Sequence, residues 1–123
     1  MRYLLILALI ALIYSPLVIN AQTIAGDAPT GRVLLADCRI ALQSGNKTRE
    51  GTLCVAFIQG FNFGYAFAQA TRNFKTICIS GDTATTPIIQ SVVNYLGKLP
   101  PTGLDGPASI LLMEALEKEY SCR

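Results

Sequence analysis

"LCVAFIQGFNFGYAFAQA", residues 53–70, is apolar on almost every side, carries two glycines, and has a cysteine at its second position. It reads as a membrane span, the wall of a ligand pocket, or the central helix of a small bundle. A span needs about 20 apolar residues in a row, and Gln59, Asn62 and Gln69 interrupt this run on different faces. A strand is excluded because the segment is long and shows no clean alternation. Ala56, Gly60, Gly64 and Ala68 recur every fourth residue, a helix-packing stripe that lets another backbone approach closely. Each mid-helix glycine costs about 1 kcal/mol relative to alanine, and a neighbouring helix against the stripe would compensate. The opposite surface carries Phe57, Phe61 and Tyr65, with Phe63 and Phe67 beside them. The stretch therefore reads as a buried central helix from about Leu53 to Arg72, its aromatics forming core. An apolar ligand pocket between helices is the second use of such rings.

Working outward, three more helices are expected. The first runs from about Pro29 to Gln43, with Leu34, Leu35, Cys38 and Leu42 at helical spacing. It ends at "SGNKTREG", a polar run read as an exposed loop, where Asn46-Lys47-Thr48 also fits the short glycosylation pattern. The third spans about Pro87 to Leu96, with Thr86 as N-cap, Pro87 as first helical residue and Gly97 as stop. Its expected buried face is Ile88, Val92, Tyr95 and Leu99. The fourth covers about Pro107 to Tyr120, burying Ala108, Leu111, Leu112, Ala115 and Leu116 while Glu114, Glu117 and Lys118 face water. The "KLPPTGLDGP" linker between the last two is too rich in proline and glycine to be helical. The fold class is all-α, a small four-helix antiparallel bundle.

The four cysteines are Cys38, Cys54, Cys78 and Cys122, an even number at wide spacings in a chain without histidine. That pattern favours two disulfides over a zinc site. Topology chooses the pairing. A helix from Cys54 to Arg72 rises about 27 Å, and the residues from Asn73 to Cys78 barely span back over that distance. In an up-down-up-down bundle Cys54 opens the second helix beside Cys38, and Cys78 lies where the fourth helix ends near Cys122. The expected bridges are Cys38–Cys54 and Cys78–Cys122.

The chain starts "MRYLLILALIALIYSPLVINA". A charge at Arg2, an apolar run, Pro16 and a small residue at Ala21 form the layout of a secretory signal peptide covering residues 1–21. Residues 22–123 are then one exported domain, with no membrane attachment after signal removal. Of ten basic residues Arg2 is lost, leaving nine against eight acidic ones, a formal charge of +1. The charges are scattered, with no basic stripe for nucleic acid. Without histidine, the Ser-His and Cys-His nucleophile systems and His-Glu metal sites are excluded. Glu114 and Glu117 form the best carboxylate pair, read as a solvated helix face. No catalytic residue, metal or cofactor is expected, and the chain reads as a non-enzyme.

One family likeness emerges. The Cys38 helix is followed by "CVAFIQG" from Cys54 to Gly60, then Cys78-Ile79. Gln90 and "VVNYL" come next, then a Pro-containing loop, Pro107-Ala108, Ala115-Leu116 and the terminal Cys122. In order and spacing the sequence resembles the Rap/Tai family of small periplasmic immunity proteins, which protect bacteria against peptidoglycan amidase toxins delivered by type VI secretion. Typical members have proline where Ser80 and Ser121 stand here. The resemblance implies a helical, often dimeric protein in the periplasm whose partner is a cell-wall amidase effector. Such proteins insert a protruding loop into the amidase cleft. The segment best suited to that role is Lys98-Leu99-Pro100-Pro101-Thr102-Gly103-Leu104-Asp105, stiffened by its prolines, with Leu104 as an apolar anchor. The rival readings are a periplasmic acid-stress holdase chaperone, for which eight acidic side chains are few, and a carrier of a small apolar ligand.

Overall fold

The computed structural model describes residues 28–72 and 76–122. The signal-peptide reading of residues 1–21, and its cleavage point, lie outside them. Four helices follow in chain order: α1 (Gly31–Ser44), α2 (Arg49–Arg72), α3 (Thr85–Leu96) and α4 (Ala108–Tyr120). A short 3-10 turn, Pro101–Asp105, joins α3 to α4. The described residues form no strand, only isolated bridges pairing Thr30 with Pro107 and Ile77 with Ser121.

Local chemistry sets each boundary. Thr30 caps α1 by accepting from the Val33 N–H, and Gly45 closes it at φ 63°, donating its N–H to the Ala41 carbonyl. That left-handed turn is available to glycine without a Cβ penalty. The polar run read as loop instead starts α2 four residues early. Thr48 Oγ1 accepts from the Gly51 N–H at 3.1 Å, a side-chain cap that the sequence pattern hid among breakers. Gly51 is buried at this crossing, where a Cβ would collide with the Gly45 carbonyl. In α3 the N-cap is Ala84, so Pro87 sits in the first turn, where its missing N–H costs nothing. The "PTGLD" stretch expected to be non-helical forms the 3-10 turn, since the prolines stand before and at its start.

The core assigns the helices different roles from those expected. α1 packs against all three other helices and the 3-10 turn, so it is the central helix. It buries Leu34, Leu35 and Cys38, against which Val92 and Leu96 of α3 and Leu112 and Leu116 of α4 close without solvent access. On α3 the buried set is Ile88, Ile89, Val92 and Leu96, with Tyr95 and Leu99 half-buried. The face read for α4, Ala108 to Leu116, is buried in full. Both disulfides are those expected, Cys38–Cys54 with Cα atoms 5.1 Å apart and Cys78–Cys122 at 5.0 Å.

α2 departs most from its reading as the buried centre. Only Gly51, Cys54 and Ile58 are buried, all in its first half. Beyond Ile58 one side still meets the bundle through Phe61 and Tyr65, whose rings stack 6.0 Å apart at 13°. Its other side is open: Phe63 is 78% exposed and Phe67 72%. Of the stripe Ala56, Gly60, Gly64 and Ala68, the first three are exposed and only Ala68 is half-buried. A Cβ on Gly60 or Gly64 would meet no atom within 4 Å. The bundle is too small to bury a 24-residue helix along its length, so apolar composition alone overstated its burial. Among the described residues, no helix is long and apolar enough to cross a membrane.

Candidate partner-binding surfaces

The 98–105 segment is a docked turn rather than a free-standing loop. The Gly31 N–H donates to the Gly106 carbonyl at 3.0 Å and the Ala108 N–H to the Pro29 carbonyl at 2.8 Å, fastening both flanks to the start of α1. Within the turn, the Gly103 N–H donates to the Pro100 carbonyl at 2.9 Å. Arg32 braces it from outside: Nη2 donates to Asp105 Oδ1 at 2.7 Å and to the Pro101 carbonyl at 2.9 Å. Leu104 is buried in the core, 8% exposed, which corrects its reading as an anchor for a partner. A side chain that holds the turn down is not available to reach outward. Lys98, Pro100, Pro101, Thr102 and Asp105 are exposed, Leu99 and Gly103 half-buried. The outward surface is therefore a rigid proline-framed ridge with one basic and one acidic end.

The two carboxylates of α4 do not converge on a common point. Glu114 Oε2 accepts from the Tyr95 hydroxyl at 3.0 Å, while Glu117 Oε1 accepts from Thr76 Oγ1 at 2.7 Å. Burial, the hydrogen bond to Glu114 and that residue's charge all push the Tyr95 phenol above its ordinary pKa. Lys118 Nζ lies 5.7 Å above the Tyr95 ring, within cation–π range. Both glutamates thus join helix to helix or helix to loop.

The far half of α2 is fixed by Tyr65. Its hydroxyl accepts from the Thr76 and Ile77 N–H groups, each at 3.0 Å, and lies 2.7 Å from Thr76 Oγ1. Thr76 has a single hydroxyl hydrogen; when it goes to Glu117, the Tyr65 hydroxyl is the donor to Thr76. Burial raises the Tyr65 pKa, but the bonds from Thr76, Ile77 and Gln69 outweigh it and the net direction is down. Gln69 Nε2 donates to the Ile77 carbonyl at 2.8 Å. Tyr65 and Gln69, one turn apart on α2, thereby hold the segment that carries Cys78.

Comparison with known proteins decides the family. A family model for Rap1a immunity proteins matches residues 30–122, from the N-cap of α1 to the last cysteine. The chain belongs to this family. The match takes in all four helices and both disulfides of this Rap1a domain, so the family relation rests on the whole bundle. No curated protein matches the chain. Membership makes it an immunity protein, and an immunity protein implies a toxin as partner. Two parts of the Rap1a fold escaped sequence reasoning. Arg32 lies 73 residues from Asp105, and nothing local marks a pair at that separation. Tyr65 was read as core through its ring, whereas its hydroxyl does the positioning. Gln69, one helical turn further on the same side, was the available signal.

Proposed function

We propose that this protein acts in the periplasm, binding a peptidoglycan amidase toxin of a type VI secretion system and sterically blocking its active-site cleft. The observation that carries the proposal is the Rap1a match across the entire disulfide-stapled bundle. Two disulfides suit an oxidising compartment. The braced 98–105 turn suits the blocking element, because a surface ordered before binding loses little conformational entropy on association. Blockade asks no chemistry of the inhibitor: the exposed ridge from Lys98 to Asp105 occupies the cleft and keeps substrate out. A second copy of the chain is the further partner we propose, docked on the outer face of α2. There the rings of Phe63 and Phe67 stand in solvent beside two glycines that leave room for an approaching ring.

The test is affinity capture with residues 22–123, disulfides formed, immobilised and exposed to lysate from its own source. Recovery of a cell-wall amidase in stoichiometric amount supports the reading. Recovery of many unrelated proteins, increasing at low pH, favours a chaperone instead. If an amidase is captured, replacement of 98–105 by a Gly-Ser linker should abolish binding; wild-type affinity in that variant removes the turn from the mechanism.

A further inference from the structure

Beside the far half of α2 lies a groove of about 870 Å³ that opens to solvent, bounded on its other side by the segment from Ile77 to Thr85. The volume is within the range of sites that hold a ligand. No Asp, Glu, Lys or Arg is among its described lining residues. The polar side chains there are neutral, and the Gln59 and Asn62 amides form no side-chain hydrogen bond among the described residues. Phe63 forms an apolar edge.

The opposite wall supplies the directional chemistry. Ile77 pairs with Ser121, and the Cys78 N–H donates to the Tyr120 carbonyl at 2.7 Å, so this side of the segment is already bonded to the chain end. Along an extended chain the N–H and C=O groups of successive residues point to opposite sides. Ile77 accordingly turns both of its groups towards α2, where Tyr65 and Gln69 take them. By the same alternation Ile79, two residues on and still ahead of the turn, falls in register with that edge, and its N–H and C=O are bonded to no described residue. The chain turns only at Gly81 and Asp82. Ile79 thus carries one donor and one acceptor, at main-chain spacing, on the wall of a groove whose described lining bears no charge.

We propose that this groove takes an extended, uncharged peptide segment of a partner protein, added as a short strand along Ile79. Each feature selects for that occupant. A main-chain amide matches the Ile79 donor and acceptor together, as in strand addition to an exposed edge. A purely apolar ligand would leave the Gln59 and Asn62 amides buried without partners, which is costly. A charged ligand would be desolvated with no counter-charge among the described lining residues, the Asp82 carboxylate at the turn being already bonded to the Ser80 hydroxyl. The site is separate from the 98–105 turn, and its occupancy does not depend on what that turn binds.

The test uses the 15N-labelled, disulfide-intact protein and a blocked peptide, acetyl-Thr-Val-Thr-Val-Thr-amide. Binding should slow hydrogen exchange at the Ile79 amide by about tenfold at saturation, and shift the Asn62 side-chain amide signals. Two N-methylated versions, alternating in register, separate backbone pairing from side-chain stickiness. One register should lose binding and the other keep it, because only alternate amides face Ile79. Asn62→Asp should weaken the neutral peptide about tenfold and favour a version carrying lysine, with the helical circular dichroism unchanged. The proposal is overturned if the parent peptide leaves Ile79 exchange unchanged up to its solubility limit. It is equally overturned if both N-methylated registers bind like the parent, or if a neutral saccharide such as chitotriose perturbs Ile79 where the peptide does not.

Discussion

Arg32, in the first turn of α1, holds Asp105 at 2.7 Å across 73 residues of sequence, and the same nitrogen reaches the Pro101 carbonyl. Both side chains are more than half exposed, so the pair adds little to global stability, at most about 1 kcal/mol. Its consequence is local. Arg32→Ala should leave the melting temperature nearly unchanged while amide exchange rises from Thr102 to Gly106. On the proposed mechanism, affinity for the toxin should fall by more than the stability does. Exchange measured by mass spectrometry, beside a binding titration, checks both.

The Tyr65 hydroxyl is the acceptor for two backbone N–H groups at once. Tyr65→Phe keeps the ring on the bundle but leaves both donors without that partner, a loss of about 1–3 kcal/mol. Urea unfolding should register it, and Thr76→Val should show a loss that does not add to it, because the two residues share one network.

On the loop-entropy account, the bridge closing 16 residues contributes about 3 kcal/mol and the one closing 44 about 4 kcal/mol. Replacing Cys78 and Cys122 together with serine should therefore cost more than replacing Cys38 and Cys54. The larger solvent exposure of Cys78 also makes its bridge the first to yield to a mild reductant. Denaturation of both double variants, and mass spectrometry of partly reduced protein, decide the order.

Phe63 and Phe67 contribute nothing to the core, so Phe63→Ser with Phe67→Ser should unfold at the wild-type temperature or slightly above when both are dilute enough to be monomers. If a second copy docks on this face, the double variant will be a monomer at concentrations where the wild type is not. Analytical ultracentrifugation at several loadings gives the answer.

Asp37 has its pKa raised, by burial first and then by the charge of Glu50, with Arg49 acting the other way. A carboxyl whose folded pKa lies above its unfolded value destabilises the fold where it is ionised, and this penalty disappears as pH falls below both values. Asp37→Asn should therefore melt slightly higher than wild type at pH 7. The two curves should converge as pH falls through the carboxylate range towards about 3.9. A parallel shift at every pH would assign the gain to something other than ionisation.

Periodicity carried the buried face of α4 and most of α1 and α3, because in those helices one stripe is apolar and the rest is polar. The cysteine pairing was legible for a different reason: helix length disfavours Cys54–Cys78, and an antiparallel arrangement sets Cys54 beside Cys38 and Cys78 beside Cys122. α2 was misjudged where its sequence is apolar all round, since no polar stripe says which side is covered. The turn was legible as stiff through Pro100 and Pro101, but not as docked. Leu104 looks like an exposed loop residue until the Gly31–Gly106 and Pro29–Ala108 bonds draw it over the core. Interactions spanning most of the chain, such as Arg32 with Asp105, leave no trace in a local pattern.

The two bridges also divide the chain mechanically. When it is pulled from both ends, tension entering α1 crosses from Cys38 to Cys54 and, at Cys78, passes directly to Cys122. Everything between those sulfurs is bypassed: the link from α1 to α2, and the whole of α3, the 3-10 turn and α4. Drawn taut, the reduced chain would be longer than the oxidised one by about 200 Å. A machine that unfolds proteins by pulling could extend the α2 end of this molecule, yet the ridge from Lys98 to Asp105 would stay out of the line of force until Cys78–Cys122 was cut.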